Sequence, residues 1–409
     1  MRVLWISCEC SLQSREGTPN LTARHESVMI RYGGDRIKLA IAFMADDRHN
    51  DFVEKDGVSY YPVHADMRVG SRAKDWRKAY TQLVRIIDDF QPDVIQCFGA
   101  EWPYGRIAEK TDIPVIIHMM GFLNIYFMSL GMIPGYYKEP SILQYGKWAL
   151  LSLSGRRPYD AEATRMESEC RVMAANRYYL GRTNWDEKIV RYYSPGARYF
   201  NVPEAVKQSV IDAAGCWEYH FSGKLRLFSH SSGDIRKGVG IVLRAAKILK
   251  ELTDIDFTWK IAGQKEAFRM AEKRLGINGS EFNIELIGML DDDMLIREMT
   301  DADLCIHPSI IDNSPHSICE AQLIGCPIIS SNVGGVPQLV EDGKTGFLYP
   351  YNEPHTLAFL IADICRDRKL LKEISENEVK TALKRHDPKS IADTLIDTYK
   401  EVIGDHDRH

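Results

Sequence analysis

Residues 307–321 read His307-Pro308-Ser309-Ile310-Ile311-Asp312-Asn313-Ser314-Pro315-His316-Ser317-Ile318-Cys319-Glu320-Ala321. The apolar residues before this stretch predict a buried strand that ends near Pro308, and Ser314 followed by Pro315 predicts a helix N-cap and first helical residue. The start of such a helix offers backbone amides and the positive end of the helix dipole, which together suit a diphosphate. Asp312 precedes the helix and Glu320 lies inside it, and carboxylates that only accept hydrogen bonds suit ribose and hexose hydroxyls. Taken alone, a turn-capping Asp312 and a solvated Glu320 explain the pattern equally well.

Strand, loop and helix alternate in the same way along the whole chain. Short apolar runs separated by helical periodicity predict parallel sheets covered by helices. The predicted strands are Val3–Cys8, Ile37–Phe43, Ser59–His64, Val94–Phe98, Val115–Met119, Tyr178–Gly181, Leu225–His230, Phe257–Ala262, Ile284–Gly288, Leu304–Pro308, Pro327–Ser331 and Gly346–Tyr349. The predicted helices include Arg72–Phe90, Gly240–Leu252, Asp291–Thr300 and Pro315–Gly325. The expected fold is therefore α/β, with two Rossmann-like, doubly wound domains that face each other across a ligand-binding cleft.

The alternation is interrupted between Phe200 and Lys224, which sets the predicted domain boundary. We predict a first domain over residues 1–210 and a second over 211–387. A long amphipathic helix at Pro388–Ile403 lies in the remaining segment, 388–409, and is expected to pack back toward the first domain.

Composition indicates a globular protein that works inside the cell. The 409 residues are 44% apolar and 27% charged, with a net charge of −5, which gives no reason to expect nucleic acid as a partner. The nine cysteines form no Cys-x-x-Cys pair, so we expect reduced thiols and no zinc site. No run reaches the roughly 18 apolar residues of a membrane span, and the first residues are interpreted as a strand and not as a signal peptide.

Two further segments carry features of a phosphate site. Arg236 and Lys237 follow a predicted strand and a glycine-containing turn, where cations would neutralise a diphosphate leaving group. A solvated pair of charges at a helix start is the alternative explanation. Gly334 and Gly335 precede Val336-Pro337 in a predicted strand-to-helix turn that needs glycine for its backbone shape.

Together these segments resemble the retaining glycosyltransferases of family 4, which have the GT-B fold. Asp312 and Glu320, with seven residues between them, have the spacing of the family's two acidic residues. The runs at Glu320–Ile329, Gly334–Pro337 and Asp342–Leu348 follow in the family's order. The resemblance covers nearly all of the second half of the chain.

The resemblance implies a role for each residue of the second domain. Glu320 would hold the ribose of a nucleotide-sugar donor, Asp312 would hold the hydroxyls of the transferred sugar, and Lys237 would meet the diphosphate, with Arg236 beside it. The backbone amides expected to contact phosphate or sugar are those of Ser317, Ile318 and Cys319. The residues expected to lie against the base, through their backbone, are Gly288, Met289 and Leu290.

The first half resembles the family less closely. Gly17, between the first strand and first helix, is the expected point of close approach to the donor phosphates. His118 ends a predicted strand at the cleft, and the resemblance makes it a catalytic residue together with Lys237 and Asp312; a hydrogen-bonded core histidine is the alternative. Arg182 lies in a predicted interdomain loop and would touch donor phosphate or acceptor.

Two positions depart from the family's pattern. The first acidic residue is usually glutamate and here is the shorter Asp312, which bears on which sugar is accepted. An arginine often lies five residues before the lysine, where this chain has Ser232. Arg236 or a cation from the first half would therefore have to compensate.

The segment 122–157 is rich in aromatic and aliphatic residues with lysines and arginines around them. An ordinary helix pair over the sheet is the favoured interpretation, with an acceptor or membrane-surface site as the alternative. The expected partners are thus a nucleotide-sugar donor and a glycan or lipid-linked acceptor, in the cytoplasm or at the inner membrane surface.

No metal or other cofactor is expected. The acidic run Asp291-Asp292-Asp293 lies at a predicted helix start, where carboxylates cap the helix and complement its dipole. The resulting hypothesis is sugar transfer with retention of configuration, in polysaccharide or glycoconjugate synthesis. A nucleotide-sugar epimerase and a non-catalytic sugar-nucleotide binding protein remain alternatives. A dinucleotide-dependent oxidoreductase is disfavoured because no Gly-x-Gly-x-x-Gly follows the first strand.

Overall fold

An eight-stranded sheet organises the first half of the chain in the computed structural model, which describes residues 1–14, 21–65, 73–130, 161–219, 223–231 and 235–408. Its strands are β1 (Arg2–Ser7), β2 (Lys38–Met44), β3 (Val53–Lys55), β4 (Val58–Val63), β5 (Val94–Phe98), β6 (Val115–His118), β7 (Tyr178–Gly181) and β8 (Arg198–Asn201). They lie in the order β3-β4-β2-β1-β5-β6-β7-β8, and all neighbours are parallel except the β3–β4 hairpin. The order reverses beside β1, which places a crevice at the carboxyl ends of the central strands.

A six-stranded, all-parallel sheet organises the second half. Its strands are β9 (Lys224–Ser231), β10 (Asp256–Gly263), β11 (Ile284–Gly288), β12 (Leu304–His307), β13 (Ile328–Ser331) and β14 (Phe347–Tyr349). They lie in the order β11-β10-β9-β12-β13-β14. The switch point lies between β9 and β12, so the loops after these two strands meet at one place. The fold is therefore two Rossmann-like α/β domains, as predicted.

Helices cover both faces of each sheet. In the first half they are α1 (Leu21–Gly33), α2 (Ala73–Phe90), α3 (Leu123–Leu130), α4 (Ala161–Ala175) and α5 (Asn184–Tyr193). In the second half they are α6 (Gln208–Asp212), α7 (Val239–Leu252), α8 (Lys265–Leu275), α9 (Asp292–Asp301), α10 (His316–Ile324), α11 (Val336–Leu339), α12 (Pro354–Ile364) and α13 (Arg368–Arg385). The last helix is α14 (Pro388–His406). Among the residues that the structure describes, no helix combines the length and apolarity that crossing a lipid bilayer requires.

The twelve predicted strands are all present, each within one residue of its predicted ends. The two strands that were not predicted, β3 and β8, lie at opposite edges of the first sheet. All three residues of β3 are exposed, so it lacks the apolar run by which the other strands were recognised. Its hairpin turn is Asp56-Gly57, with φ of 52° and 78°, a turn sequence that does predict a hairpin.

The start of α10 differs from the prediction by one residue. Pro315 was predicted as the first helical residue, but it is extended, with φ −69° and ψ 128°, and serves as the N-cap. The prediction was wrong because the φ that proline fixes is compatible with both an extended and a helical backbone. His316 is therefore the first residue of the helix, and its side chain faces the cleft.

The final helix, α14, packs against the first sheet. The Trp5 indole of β1 donates a hydrogen bond to the Tyr399 hydroxyl at 3.0 Å, and that hydroxyl donates to the Gln96 side chain at 2.6 Å. All three side chains are buried, and apolar residues of α14 share one core with β1, β2 and β5. The chain thus crosses between the domains twice, once before α6 and once before α14. The predicted boundary at 210 falls inside α6, which packs on α9 and α10 of the second domain.

Candidate active site

A cavity of about 250 Å³ opens between the two domains. Its lining combines the carboxyl-end loops of both sheets, so neither domain forms it alone. The lining residues are Met120, Tyr126 and Arg182 from the first half and Arg236, Lys237, Ile311, Asp312, Ser314, Pro315 and His316 from the second. Four residues singled out in the sequence, Arg182, Arg236, Lys237 and Asp312, therefore meet at one cavity.

Asp312 is held by several donors of its own domain. Its Oδ2 atom lies 2.6 Å from Lys237 Nζ, 3.2 Å from His307 Nε2 and 3.1 Å from the Ser309 hydroxyl. Its Oδ1 atom accepts from the Asn313 amide at 3.1 Å. Burial alone would raise the pKa of Asp312, but Lys237 and His307 outweigh it and hold that pKa well below its usual range. Asp312 is thus an ionised carboxylate paired with the cation expected at the diphosphate.

His307 connects Asp312 to the first turn of α10. Burial lowers the pKa of His307, so the ring is neutral near pH 7. A carboxylate only accepts hydrogen bonds, so Nε2 carries the hydrogen toward Asp312, and Nδ1 accepts from the Ser317 hydroxyl at 2.8 Å. The position of the Asp312 carboxylate is therefore coupled to the start of the helix.

Glu320 is deeply buried within α10. Its side chain is 1% exposed, with Oε1 3.7 Å from Arg24 Nη1 of the first domain and Oε2 3.9 Å from His230 Nδ1. Oε2 accepts no hydrogen bond from the residues that the structure describes. The alternative of a solvated Glu320 is therefore wrong, and a buried oxygen of this carboxylate retains its capacity to accept.

A chain of charged and polar groups links the two domains beside Glu320. Arg24 Nη1 lies 2.5 Å from His316 Nδ1, and His316 Nε2 lies 3.6 Å from Glu204 Oε1. The other oxygen of Glu204 accepts from Arg182, whose second nitrogen donates to the Met120 carbonyl at 2.5 Å. Burial would raise the pKa of Glu204, but Arg182 outweighs it and keeps that pKa far below its usual range. Arg182 is accordingly held by Glu204 at the cavity wall.

Arg236 contacts an aromatic residue across the cleft. Its guanidinium carbon lies 4.6 Å from the centre of the Tyr126 ring in α3, a cation–π distance. Tyr126 in turn stacks on Trp185, with ring centres 6.4 Å apart and planes at 13°. Flat aromatic faces beside a polar cavity suit the C–H faces of a sugar ring.

His118 ends β6 and is fully buried. Its Nδ1 atom lies 3.2 Å from the Gln96 side-chain nitrogen, and the ring packs edge-on against His25 at 5.0 Å. Within the described ranges Nε2 has no hydrogen-bond partner. Burial, with His25 and Arg182 nearby, holds the pKa of His118 well below its usual range, so the ring is neutral. A neutral ring with one nitrogen that makes no hydrogen bond to the described part of the chain is compatible with a role of His118 at the sugar. That role stays a prediction.

The remaining residues singled out in the sequence are distributed around α10 and β11. The Ile318 and Cys319 amides donate to the Pro315 carbonyl at 3.1 and 3.3 Å, and both side chains are buried. Gly288 ends β11 with φ of 82°, followed by an exposed Met289 and a partly buried Leu290. Gly17, Ser232 and positions 131–157 of the segment 122–157 lie outside the described residues.

Hydrogen bonds between polar side chains join the two domains next to the cavity, and we call this contact of Thr183 and Asp186 with Asn313 the polar seam. The Thr183 hydroxyl donates to Asn313 Oδ1 at 2.5 Å, and Asn313 Nδ2 donates to Asp186 Oδ2 at 2.8 Å. A Cβ on Gly335 would lie 2.3 Å from the Asn313 carbonyl oxygen and 2.7 Å from Thr183 Oγ1. Glycine is required there because the Asn313 backbone of the same domain and Thr183 of the other domain both lie close to it. It is not required for backbone shape, as the sequence suggested, because its φ is −89°. Gly334, with φ of 53°, does need glycine for its backbone shape.

The acidic run at the start of α9 has structural partners. Asp291 caps the helix by accepting from the Met294 amide at 2.8 Å, as predicted. Asp292 pairs with Lys207 from the segment that joins the domains. In the part of the chain that the structure describes, no three His, Cys, Asp or Glu side chains are arranged to hold a metal ion.

Several residues at this site were not identified from the sequence. Arg24, Glu204 and His316 meet only because the chain folds back on itself, since Arg24 and His316 are 292 positions apart. Tyr126 was included only in a long apolar segment. His307 carried a usable signal, because a histidine that ends a buried strand one loop before Asp312 lies at the carboxyl edge of the sheet.

Comparison with known proteins agrees with this geometry. Residues 220–381 match the family model described as glycosyl transferases group 1. The amylovoran biosynthesis glycosyltransferase AmsK of Erwinia amylovora is 26% identical over 204 residues, covering 47% of this chain and 48% of that protein. The alignments with the first three curated relatives span between 34% and 48% of the length of those proteins.

Solved structures match over nearly the whole chain. Sucrose-phosphate synthase from Thermosynechococcus elongatus superposes with a TM-score of 0.75 at 13% identity, over 98% of this chain and 99% of that one. Anabaena HepE, solved in complex with UDP-glucose, superposes with a TM-score of 0.64 at 17% identity, over 98% and 100%. Residues 220–381 thus match the glycosyl transferases group 1 domain, and the two domains together have the GT-B fold of glycosyltransferases.

Proposed function

We propose that this protein is a retaining glycosyltransferase of family 4 that moves a sugar from a nucleoside-diphosphate sugar to a hydroxyl of a glycan or lipid-linked acceptor. The observation that carries the proposal is the interdomain cavity, where Lys237, an ionised Asp312 and the start of α10 converge. A cation beside a helix N-terminus suits a departing diphosphate, and a carboxylate beside it suits sugar hydroxyls. The match of residues 220–381 to glycosyl transferases group 1 supports the same conclusion.

In the donor complex Glu320 binds the ribose hydroxyls, and the backbone of Gly288, Met289 and Leu290 lies against the base. The diphosphate sits at the start of α10, where Lys237 moves from Asp312 toward the phosphate oxygens. Asp312 is then free to accept from the hydroxyls of the transferred sugar, with His307 and Ser309 still holding its carboxylate. The backbone of Gly17 approaches the phosphates from the first domain.

Transfer retains the configuration of the anomeric carbon. The bond from that carbon to the phosphate oxygen breaks as the acceptor oxygen bonds to the same face. The acceptor proton passes to the departing diphosphate, whose negative charge Lys237, Arg236 and the helix amides stabilise. Arg182 belongs to the first-domain wall of the cavity beside the sugar, and we assign His118 to the same side from its place at the end of β6. Closure of the two domains excludes water, which limits hydrolysis of the donor.

The acceptor approaches from the first domain, along the aromatic faces of Tyr126 and Trp185. The relative AmsK is named for polysaccharide biosynthesis, which supports a glycan or lipid-linked acceptor and a role in polysaccharide or glycoconjugate synthesis. We place the reaction in the cytoplasm, at the inner membrane surface, with segment 122–157 as the contact. All nine cysteines are free thiols, which suits a reducing compartment.

The direct test is turnover of UDP-, GDP- and TDP-sugars by the purified protein with a panel of glycan and lipid-linked acceptors. NMR of the product should show the anomeric configuration of the donor. An inverted product would contradict retention. Conversion of a donor into its epimer without acceptor would favour a nucleotide-sugar epimerase, and binding without turnover would favour a non-catalytic binding protein.

No divalent metal takes part in this proposal, since protein cations and helix amides meet the phosphate charge. Turnover should therefore remain within about twofold of its starting rate in EDTA. Loss of turnover in EDTA, restored by Mg²⁺ or Mn²⁺, would make Asp291–Asp293 candidate ligands instead of helix caps.

A further inference from the structure

We propose that Arg24 of the first domain is a ligand of the donor's diphosphate, delivered across the cleft to the start of α10, with His316 as its positioning residue. The proposal rests on the proposed function and identifies the first-half cation that compensates for the absence of arginine at position 232.

Arg24 is a first-domain cation that contacts α10. It extends from the first turn of α1, its side chain is 11% exposed, and its Nη1 atom contacts both His316 at the first position of α10 and Glu320 one turn further on. Its Nε atom is buried and has no hydrogen-bond partner among the described residues. A guanidinium has five N–H donors, so Arg24 can contact an anion there without giving up every present contact.

His316 fixes the direction of the guanidinium. An arginine only donates hydrogen bonds, so the His316 Nδ1 atom facing it must accept and carries no hydrogen. The hydrogen is therefore on Nε2, which faces the Glu204 carboxylate at 3.6 Å. Burial, with Arg24 next to it, keeps the pKa of His316 well below its usual range, which agrees with this neutral tautomer. Glu204 is itself paired with Arg182, so the direction of Arg24 is set from the domain junction.

Because Arg24 contacts Glu320, its removal should affect binding of the nucleoside and binding of the diphosphate in different ways. A ribose hydroxyl that approaches Oε1 of Glu320 must compete with Arg24, whereas Oε2, without a hydrogen-bond partner among the described residues, is open to it. The diphosphate instead gains a cation at the helix N-terminus, where the helix dipole already favours negative charge. Removal of Arg24 should therefore weaken diphosphate binding while leaving nucleoside binding unchanged or tighter.

The experiment measures the affinity for nucleoside diphosphate and the affinity for nucleoside on the same set of variants. UDP, GDP and TDP are titrated by calorimetry, and uridine, guanosine and thymidine by ligand-observed NMR, into wild type, Arg24→Ala, Arg24→Lys and Arg31→Ala. For the base that wild type selects, Arg24→Ala should bind the diphosphate at least about tenfold more weakly, the size of one charged hydrogen bond, and the nucleoside no more weakly than wild type. Arg24→Lys should recover part of the diphosphate affinity because it keeps the charge.

Arg31→Ala is the matched control. Arg31 lies two turns further along α1, is exposed, and contacts Gln208 instead of α10. It should bind both ligands as wild type does. If Arg24→Ala bound both ligands more tightly, Arg24 would only hold the two domains together. If it bound both ligands equally more weakly, Arg24 would only support Glu320. Either result overturns the proposal. If wild type binds none of the three diphosphates, the proposed function itself fails, and the assignment of Arg24 falls with it.

Discussion

Asp312 lines the cavity and Glu320 is buried in α10, and these different surroundings separate the roles proposed for the two carboxylates. Asp312 already accepts from Lys237, His307 and Ser309, so it must exchange Lys237 for a substrate hydroxyl. Glu320 has a buried oxygen without a hydrogen-bond partner in the described residues and can take a ribose hydroxyl without losing a contact. The spacing of the two residues along the chain identified both of them, but it could not show which of them was paired.

Glu320→Gln should therefore fold normally and use the donor poorly. An amide presents one accepting oxygen to two ribose hydroxyls and carries no charge. We expect kcat/KM to fall by an amount that corresponds to a loss of about 2–4 kcal/mol in transition-state stabilisation. A well-folded Glu320→Gln protein with wild-type kcat/KM would remove Glu320 from the donor site.

Glu101 makes stability depend on pH. Burial raises its pKa to about 7, with Glu169 adding to the rise and Arg165 and Arg182 opposing it. The folded protein thus favours the protonated form, whose stabilising contribution is complete below pH 4.5 and is lost as pH rises through 7. Glu101→Gln cannot ionise, so its melting temperature relative to wild type should rise by a few degrees between pH 4.5 and 8.

The control for this comparison is Glu373→Gln, since Glu373 is exposed on α13. Its melting-temperature difference from wild type should stay constant over the same range. A constant difference for Glu101→Gln as well would show that its ionisation is not coupled to folding.

Among the elements, buried strands were predicted far better than edges and helix starts. A parallel strand that is covered on both faces must be apolar throughout, so its sequence shows its limits directly. The edge strand β3 is exposed and shows no such run, and the start of α10 depends on a proline that fits two conformations. Contacts between distant loops, such as Thr183 with Asn313, leave no periodic signal because they join separate domains.

The turn before α11 sets how closely the domains approach. In Gly335→Ala the new Cβ meets the Asn313 carbonyl and Thr183, so the seam must open or the backbone must shift. We expect a loss of about 1–3 kcal/mol in stability and a fall in kcat/KM of at least about tenfold. Thermal unfolding and steady-state kinetics measure the two effects.

Gly404→Ala provides the matched control, because a Cβ on Gly404 would meet nothing within 4 Å in α14. It should be neutral or slightly stabilising, by about 0.5–1 kcal/mol, and should leave kcat/KM unchanged. Equal behaviour of the two variants would contradict a specific role for the Gly335 contact.

At the scale of the whole molecule, residues of both domains form one site, and the chain passes between the domains twice at a common junction. The ring of His386, at the second crossing, lies 2.8 Å from the Glu204 carbonyl at the first, and the Glu204 side chain contacts Arg182 and His316. The junction is therefore in direct contact with the cavity. None of this follows from spacing, since the two crossings are far apart in sequence.

A divided site predicts different losses for His118→Ala and Lys237→Ala. Lys237→Ala should slow sugar transfer and donor hydrolysis alike and weaken binding of the nucleoside diphosphate product, because the diphosphate loses its nearest cation. His118→Ala should lower turnover but bind the product nearly normally, because the proposed base and ribose contacts lie in the second domain. Calorimetric titration of both folded variants with nucleoside diphosphate separates these outcomes.

Two results would count against these separate roles of His118 and Lys237. Equal loss of product binding in both variants would place His118 at the diphosphate. Full activity of His118→Ala would make it an ordinary core histidine, held by Gln96 and His25.

The return of α14 to the first sheet also has a consequence for synthesis of the protein. Ile391, Leu395 and Tyr399 belong to the same core as β1, yet the ribosome makes them only after the entire second domain. The first domain therefore emerges with an apolar face uncovered and must wait while nearly two hundred residues are translated. The second domain, which is contiguous in sequence, can fold first. The domain translated first is thus completed last.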